Sequence, residues 1–373
     1  MRIGVDAVPL QKLHGGVNYY IFFLLNELIQ IRPEDTFFLF TNQDCPESDI
    51  HHFKQYKNVH ICPFFPSFLG HSIWAQTSLS YACWSKNIDV FWGTTQTIPL
   101  LKKTPTKTVL TLYDFVYLLC PETMSIYKKI YLKLFSRIML KKADAILPIS
   151  KGTGSKLKQF YGLDYREIIY PPLKPQVVFT ETTSLSLFGL TSKNYLITIG
   201  TLEPRKNLNE LLEIYLTILK QCSPETVLPL VIIGGGGWKN KQLLELLTKV
   251  KEIYPNHFHL MGYRKDSEIA SLLSGARYHV MVSKYEGYGM PIAESRMCHT
   301  PVICLDQPEM REAAENDGIF LSSQTWKEEI KPYLLSNSEV KSPILPKYSS
   351  NREKAMKISA IIDSVHKPLN NLC

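Results

Sequence analysis

Short apolar runs alternate with amphipathic helical stretches along most of the chain, and this alternation constrains the fold more than any other feature. It is typical of βα units, in which each strand of a parallel sheet is followed by a helix that covers it. Two groups of strands are predicted, over residues 2–8, 36–41, 59–63, 90–91, 108–113 and 145–149, and over residues 195–200, 230–234, 258–261, 279–282 and 301–304. We therefore predict an α/β protein with two doubly wound domains.

The segment between the two groups is rich in residues that favour turns. Tyr170-Pro171-Pro172 precedes a Thr/Ser-rich stretch over residues 180–186, and both features interrupt regular structure. A length of 373 residues also suits two domains better than one. We predict an N-terminal domain over 1–176, a C-terminal domain over 177–350, and a last helix within 351–373 that packs back towards the N-terminal domain.

Cysteine usage and hydropathy indicate the compartment. The eight cysteines include no C-x-x-C pair and no Cys/His cluster at zinc-ligand spacing, so no metal site is predicted and a reduced, cytoplasmic protein is expected. The N-terminus enters an apolar strand directly, without the features of a signal peptide. The helical stretch over 17–31 contains Asn, Glu and Gln, which make it too polar to cross a bilayer.

Positive charge is concentrated in the first half of the chain. The net charge is +8, and residues 1–176 hold 20 Lys and Arg against 13 Asp and Glu, so nearly all of the excess lies there. Residues 128–158 alone hold nine cations and one acid, Asp144. Such a patch fits the phosphates of a nucleic acid, a membrane surface or a phosphorylated lipid.

Residues 124–142 predict an amphipathic helix within this patch. Its apolar positions follow helical spacing and comprise Tyr127, Ile130, Tyr131, Leu134, Phe135 and Ile138. Beside them lies a cationic row of Lys129, Lys133, Arg137 and Lys141. One interpretation is a helix that packs on the core and leaves its cations in solvent. The other is a cationic face that holds the protein against an anionic membrane.

Two loops each follow a predicted strand and precede a predicted helix. One contains paired glycines, and the other contains adjacent cations. Gly15-Gly16 follows the first strand, where the absence of side chains lets a phosphate approach the backbone at a helix N-terminus. Arg205-Lys206 follows the first strand of the second half, at a helix start that ordinarily favours acids, which indicates phosphate binding. The run Gly234 to Gly237 lacks the third glycine and the strand-end acid of a dinucleotide fingerprint, which disfavours a dehydrogenase.

The most informative segment is Ser283 to Glu294. A strand ends before it, Gly287 and Gly289 shape a loop, and Pro291 suits the first turn of a helix. Glu286 on the loop and Glu294 on the helix are placed to accept hydrogen bonds from separate hydroxyl groups of one extended ligand.

This segment resembles the E-x7-E motif of the retaining family-4 glycosyltransferases, also called glycosyl transferases group 1, which have the GT-B fold. Other parts of the chain up to about residue 320 resemble the family in order and spacing, namely Met1 to Tyr20, Tyr113-Asp114 with Pro121-Glu122, Gly200 to Leu208, and Met310-Arg311-Glu312. The family's usual His stands here as Tyr113, which is a departure from the motif.

The resemblance implies a nucleotide-sugar donor held mainly by the second domain. Glu286 would lie by the sugar hydroxyls, Glu294 by the ribose, and Arg205 with Lys206 by the diphosphate, so that Glu286, Arg205 and Lys206 form the catalytic group. Further donor contacts are implied at Gly15, Gly16, Tyr263, Gly287, Tyr288, Gly289, Met290 and Pro291, and acceptor or sugar contacts at Tyr113 and Asp114. No cofactor and no metal are implied.

From the resemblance we expect a retaining, metal-independent glycosyltransferase in cell-envelope polysaccharide or lipopolysaccharide synthesis. Mannose from GDP-mannose is the preferred donor, and the acceptor is expected to be a glycan or lipid-linked glycan at the inner face of the plasma membrane. One alternative is a soluble polysaccharide synthase using a UDP- or ADP-sugar. Another is a nucleic-acid-binding protein that uses the basic half, although no nucleic-acid partner is expected because the aromatic residues follow helical core spacing.

Overall fold

The structure is a computed structural model that describes residues 1–11, 15–43, 49–63, 70–101, 106–124, 126–182, 185–236, 241–338, 340 and 343–366. The chain folds into two compact units. The first comprises Met1–Tyr117, Ser125–Pro172 and Tyr348–Cys373, and the second comprises Leu118–Met124 and Leu173–Lys347. The longer segment of the second unit thus begins at Leu173, just before the boundary predicted after residue 176.

The first unit is built from alternating strands and helices around a parallel sheet. Its elements, with α4 continuing into the second unit, are β1 Arg2–Asp6, α1 Gly16–Ile31, β2 Thr36–Thr41, β3 Val59–Pro63, α2 Gly70–Gln76, α3 Ser78–Ser85, β4 Val90–Gly93, β5 Lys107–Leu112, α4 Val116–Leu119, α5 Ile126–Lys142, β6 Ala145–Pro148 and α6 Lys151–Tyr161. Strand residues such as Ile3, Val5 and Phe37 are fully buried, because helices cover both faces of a doubly wound sheet.

The second unit repeats this plan. Its elements are β7 Leu196–Ile199, α7 Leu208–Gln221, β8 Leu230–Ile233, α8 Lys241–Ile253, β9 Phe258–Gly262, α9 Asp266–Gly275, β10 Tyr278–Met281, α10 Met290–Met297, β11 Val302–Leu305, α11 Pro308–Ala313, β12 Ile319–Leu321 and α12 Trp326–Glu329. The strand Ile319–Leu321 was not predicted, since three residues carry too little periodicity to be recognised.

The described strands form two six-stranded sheets with the same topology. Their orders are β3-β2-β1-β4-β5-β6 and β12-β11-β10-β7-β8-β9, and every pairing is parallel. In each sheet the first strand of the unit lies between two strands whose connections run in opposite directions. That position is the switch point, where ligands bind beyond the carboxyl ends of the strands. The predicted α/β fold with two doubly wound parallel sheets is confirmed.

The last helix, α13 (Asn351–His366), packs on α1 within the first unit. Arg32, at the end of α1, joins the two helices because its guanidinium binds both Asp35 and Asp363, with the Nη2 atom 2.8 Å from Asp363 Oδ1. The C-terminal segment therefore completes the first unit after the chain has built the second.

Gly234, the first of the four consecutive glycines, lies where two backbones approach closely. It follows β8 with a φ of 151°, and a Cβ atom added there would lie 1.8 Å from the carbonyl oxygen of Gly200. The glycine is required because the two backbones approach closely at the carboxyl ends of β7 and β8. Gly237 lies outside the described residues.

Candidate active site

The two loops with the strongest sequence signals meet at the switch point of the second sheet. Gly200 to Asn207 follows β7 and residues 283–289 follow β10, and these strands are paired neighbours. The Lys284 amide donates a hydrogen bond to the Arg205 carbonyl oxygen at 2.8 Å, which joins the loops directly. Gln307 steadies the second loop by donating to the carbonyl oxygens of Ser283 and Lys284 at 3.0 and 2.9 Å.

Glu286 lies between the two cations of the first loop. Its Oε1 atom is 2.7 Å from Lys206 Nζ, and its Oε2 atom is 2.7 Å from Arg205 Nη1. Burial alone would raise the pKa of Glu286, but the two cations outweigh burial and lower it to about 2. The carboxylate is therefore ionised at neutral pH and acts only as a hydrogen-bond acceptor.

Glu203 is a member of this cluster that the sequence did not reveal. Its buried carboxylate lies 2.6 Å from Arg205 Nη2, while Arg205 Nη1 also donates to the Tyr285 carbonyl oxygen at 2.8 Å. The charges alternate in the order Glu203, Arg205, Glu286 and Lys206. Arg205 thus has partners on both sides, and only one of them is Glu286.

Glu294 lies on α10 with a second set of charges. Its side chain is 7% exposed, and Lys174 Nζ lies 3.7 Å from Oε1. Lys174 also donates to Asp266 Oδ1 at 2.8 Å. Burial raises the pKa of Glu294; Lys174 opposes this rise, and Asp266 adds to it. Sequence reasoning missed both partners, because Lys174 and Asp266 are far from the E-x7-E segment along the chain.

The backbone between the two glutamates turns sharply into α10. Gly289 is the N-cap residue with a φ of 110°, a conformation that favours glycine, and Met290 and Pro291 form the first helical turn. Tyr288 is buried beside Gly287, so its ring contributes packing at this position. The helix N-terminus directs backbone N–H groups towards the carboxyl edge of the sheet.

Tyr263 occupies the loop between β9 and α9, where its side chain is 64% exposed. The same loop leads into Asp266, the first residue of α9. The structure therefore places Tyr263 on the loop that leads into Asp266, one of the charged residues beside Glu294.

Four of the predicted site residues belong to the first unit. Gly15 is the N-cap of α1 with a φ of 121°, and Gly16 begins that helix after β1. Tyr113 is buried after β5, where its ring meets Tyr20 edge-on at 5.3 Å. Burial, followed by Tyr20 and Asp6, raises the pKa of Tyr113 well above its ordinary value, so the phenol stays protonated.

Asp114 stabilises the turn after β5. Its carboxylate accepts a hydrogen bond from the Val116 amide at 3.0 Å.

The next part of the chain, Leu118–Met124, belongs to the second unit and includes Pro121-Glu122 of the resembling motif. Burial and Glu122 raise the pKa of Cys120, while the charges of Arg205, Lys284 and Glu286 also act on this thiol. This short segment is therefore close to the Glu286 cluster.

The cationic helix α5 differs from its predicted arrangement. The exposed fractions of four aliphatic side chains are 58% for Ile126, 50% for Ile130, 63% for Leu134 and 43% for Ile138. The buried side chains are instead Leu132, Ser136, Met139 and Leu140. Of the two interpretations of this helix, packing of the apolar row on the core does not hold at positions 130, 134 and 138. The helix has apolar residues on more than one side, and packing buries the other set.

Three of the four predicted cations flank this aliphatic row. Lys133, Arg137 and Lys141 are exposed and Lys129 is half-buried, while the side chain of Tyr127 lies outside the described part of the structure. Tyr131 and Phe135 are half-buried and stack at 5.0 Å between ring centroids. The surface of α5 thus presents aliphatic and cationic side chains together.

Two features are absent from the described residues. No group of three or more His, Cys, Asp or Glu side chains there is arranged to hold a metal ion. None of the helices in that part of the chain combines the length and apolar character needed to cross a bilayer.

Comparison with known proteins identifies relatives of the chain. It is 27% identical over 222 residues to O-antigen chain mannosyltransferase B of Escherichia coli, covering 57% of this chain and 56% of that protein. It is 28% identical over 177 residues to the N-acetylgalactosamine-N,N'-diacetylbacillosaminyl-diphospho-undecaprenol 4-alpha-N-acetylgalactosaminyltransferase of Campylobacter jejuni, covering 47% of this chain and 44% of that protein. The chain thus spans about half the length of these curated relatives.

The fold is also similar to that of a solved structure. Anabaena HepE, in complex with UDP and glucose, superposes with a TM-score of 0.66 at 16% sequence identity, covering 97% of this chain and 99% of that one. Residues 188–339 match the model of the family described as glycosyl transferases group 1, and this range contains Arg205, Glu286 and Glu294. Residues 188–339 are therefore similar to the glycosyl transferases group 1 family, and the chain as a whole has the GT-B fold.

Proposed function

We propose that this protein transfers a sugar from a nucleotide-sugar donor to a glycan acceptor, with retention of anomeric configuration, in the synthesis of a cell-envelope polysaccharide or lipopolysaccharide. The observation that carries this proposal is the cluster of Glu286, Arg205 and Lys206 at the switch point of the second sheet. It combines cations suited to a diphosphate with a carboxylate suited to sugar hydroxyls. Both relatives are named as glycosyltransferases, which supports the same chemistry.

The reaction requires charge stabilisation at the leaving group. The bond between the anomeric carbon and a diphosphate oxygen breaks and negative charge develops on the departing diphosphate. A bond to the acceptor hydroxyl oxygen forms, and the proton of that hydroxyl is released to the diphosphate or to solvent. Fixed cations at that place stabilise this charge without reorganising during the reaction. Arg205 and Lys206 are the cations of the cluster, and Glu203 holds the first of them from the opposite side to Glu286.

Glu286 has two roles in this proposal. In the structure it neutralises both cations, so a diphosphate must compete with it for Arg205 and Lys206. Once the diphosphate is bound, the carboxylate is available to accept hydrogen bonds from the donor sugar. While Arg205 and Lys206 pair with it, the pKa of Glu286 is about 2, so it enters this exchange as an ionised carboxylate.

For the donor we propose GDP-mannose, since the E. coli relative is named as a mannosyltransferase. UDP-sugars are the alternative, because the similar HepE structure contains UDP and glucose. The shift in melting temperature with GDP, UDP, GDP-mannose and UDP-glucose distinguishes them, because a ligand that binds only the folded state stabilises it. Failure of every nucleotide to stabilise the protein would contradict the proposed function.

For the acceptor we propose a lipid-linked glycan at the cytoplasmic face of the plasma membrane. The C. jejuni relative is named for a diphospho-undecaprenol substrate. On α5, the exposed aliphatic side chains would enter the interface while Lys133, Arg137 and Lys141 contact anionic lipid headgroups. A soluble glycan acceptor, as for a storage-polysaccharide synthase, would need no such surface, so transfer to soluble and lipid-linked acceptors should be compared directly.

We also propose that transfer needs no metal ion and no cofactor, because Arg205 and Lys206 provide the positive charge that a divalent cation would otherwise supply. The test is the transfer rate of the purified protein with and without EDTA. Loss of activity with EDTA, and its return with a divalent cation, would overturn this part of the proposal.

A further inference from the structure

Two charged side chains, those of Lys174 and Asp266, lie with the carboxylate of Glu294 in one largely buried group. Lys174 Nζ lies 2.8 Å from Asp266 Oδ1 and 3.7 Å from Glu294 Oε1, and all three side chains are less than one-fifth exposed. One cation therefore serves two carboxylates that come from different helices, α9 and α10. The family resemblance implies a role for Glu294 and none for Lys174 or Asp266.

Lys174 is held in place by its own segment. It lies immediately after Leu173, where the chain enters the second unit, and its carbonyl oxygen accepts a hydrogen bond from the Val177 amide at 3.1 Å. Val177 is buried in the hydrophobic core formed with Leu185, Ile197 and Leu273. The backbone that carries Lys174 is thus anchored to the core, and its ammonium group is directed at the two carboxylates.

The two distances imply different roles for the two acids. At 2.8 Å Asp266 accepts a full hydrogen bond and fixes the ammonium group, whereas 3.7 Å is too long for a strong hydrogen bond. Lys174 therefore compensates the charge of Glu294 while leaving its oxygen lone pairs available to other donors. Burial of a carboxylate without a nearby cation favours its neutral form, which cannot accept in the same way at both oxygens.

From this geometry we infer that Lys174, anchored by Asp266, is a positioning residue that holds the Glu294 carboxylate ionised and oriented to accept hydrogen bonds from the ribose hydroxyls of the donor nucleotide. The inference rests on the proposed function and on the ribose contact that the family resemblance implies for Glu294. It predicts that Lys174 affects recognition of the ribose and not the diphosphate or the bond-breaking step.

The experiment compares ribonucleotides with 2′-deoxyribonucleotides on the full-length protein. Affinities for GDP, UDP and their 2′-deoxy analogues are measured by calorimetry for the parent, Lys174→Met, Asp266→Asn and the double variant. The double variant removes one cation and one anion, so the cluster keeps its net charge and the folded state should be recovered if Lys174→Met alone destabilises it. Lys174→Arg is the conservative control.

The parent should bind the better ribonucleotide about tenfold more tightly than its deoxy analogue, the value for one hydrogen bond to a charged group. This discrimination should be lost in Lys174→Met and in the double variant, and retained in Lys174→Arg. In transfer assays the donor KM of the double variant should rise while kcat is nearly unchanged. Discrimination in the double variant equal to that of the parent would overturn the inference and leave the proposed function intact. A parent that does not discriminate would overturn the ribose assignment of Glu294 and the inference with it.

Discussion

Lys206 and Glu286 form an ion pair with Nζ 2.7 Å from Oε1, although the two residues belong to loops that follow different strands. A cation proposed to bind the donor diphosphate is therefore paired with the carboxylate proposed to bind the donor sugar. Since Arg205 makes a second ion pair with the same carboxylate, donor binding must exchange partners within this cluster. The exchange leads to predictions that differ for binding and for catalysis.

The Glu286→Gln variant should separate these two effects. Loss of a charged acceptor at the sugar should slow transfer about 30- to 1000-fold, equivalent to about 2 to 4 kcal/mol. Affinity for a nucleoside diphosphate should stay equal or increase, because the variant no longer neutralises Arg205 and Lys206. Calorimetry and initial rates measure both quantities. A large loss of nucleotide affinity would show that Glu286 contributes to binding the diphosphate and does not compete with it.

The same substitution at Glu294 should have a different effect. Glu294→Gln leaves the two phosphate-binding cations paired with Glu286, so no increase in nucleotide affinity is expected. At subsaturating donor the transfer rate should again fall about 30- to 1000-fold, equivalent to about 2 to 4 kcal/mol. If both glutamine variants transfer sugar within a few-fold of the parent, the assignment of the two glutamates is wrong.

Arg205→Ala and Lys206→Ala should each weaken nucleoside-diphosphate binding by about 1.5 to 3 kcal/mol, the range for charge-assisted hydrogen bonds. Lys327→Ala is the matched control, because Lys327 is an exposed cation of the same unit that pairs with Glu210 at 2.9 Å. The control should bind the nucleotide like the parent. Equal affinities for all four proteins would remove these two cations from the donor site.

Stability in acid should depend on Glu286. Its pKa is lowered from the ordinary value of 4.5 to about 2 in the folded protein, so the ionised side chain stabilises the fold above its unfolded pKa, and this contribution is lost as pH falls towards 2. Glutamine does not titrate at that position. The difference in free energy of unfolding between the parent and Glu286→Gln should therefore change in the acid range, with the parent losing relative stability between about pH 4.5 and 2. Parallel urea titrations at several pH values measure this, and a constant difference would contradict the ion pairing.

Binding to anionic vesicles should depend on α5. Each cation near such a surface contributes about 1 kcal/mol, so replacing Lys133, Arg137 and Lys141 with Gln should release the protein from anionic vesicles in sedimentation at low salt. Replacing Ile130 and Leu134 with Ser should weaken binding with less dependence on salt. The control replaces Lys241, Lys249 and Lys251 on α8, which are also exposed, with Gln. Equal pelleting of the α5 and α8 variants would assign the attraction to overall charge.

Local pattern was sufficient to locate most strands and several residues of the candidate site. Glu286 and Glu294 were recognisable because glycines and a proline between them are required for a strand, loop and helix in close succession. Arg205 and Lys206 were recognisable because two cations at a helix start oppose the helix dipole. Glu203 and Asp266 had no comparable signal, since a single acid near a helix start or in a loop is common on protein surfaces.

The row at 130, 134 and 138 shows a different limit. Helical spacing identifies residues that share a side of α5, but Leu132, Met139 and Leu140 are equally apolar and lie on another side. Periodicity alone does not decide which set is buried when both are hydrophobic. The packing of the unit decides it, because the set that meets neighbouring elements is removed from water.

The sequence by itself determined the alternation of strands and helices, the two parallel sheets and the loops that carry Arg205, Lys206, Glu286 and Glu294, because each of these depends on the chemistry of adjacent residues. Only the tertiary structure decided that β7 pairs with β10, that Glu286 lies between two cations and that Lys174 reaches Glu294 and Asp266. These relationships depend on strand order and on side chains brought together from distant parts of the chain, and such contacts form only when the hydrophobic core brings the elements together.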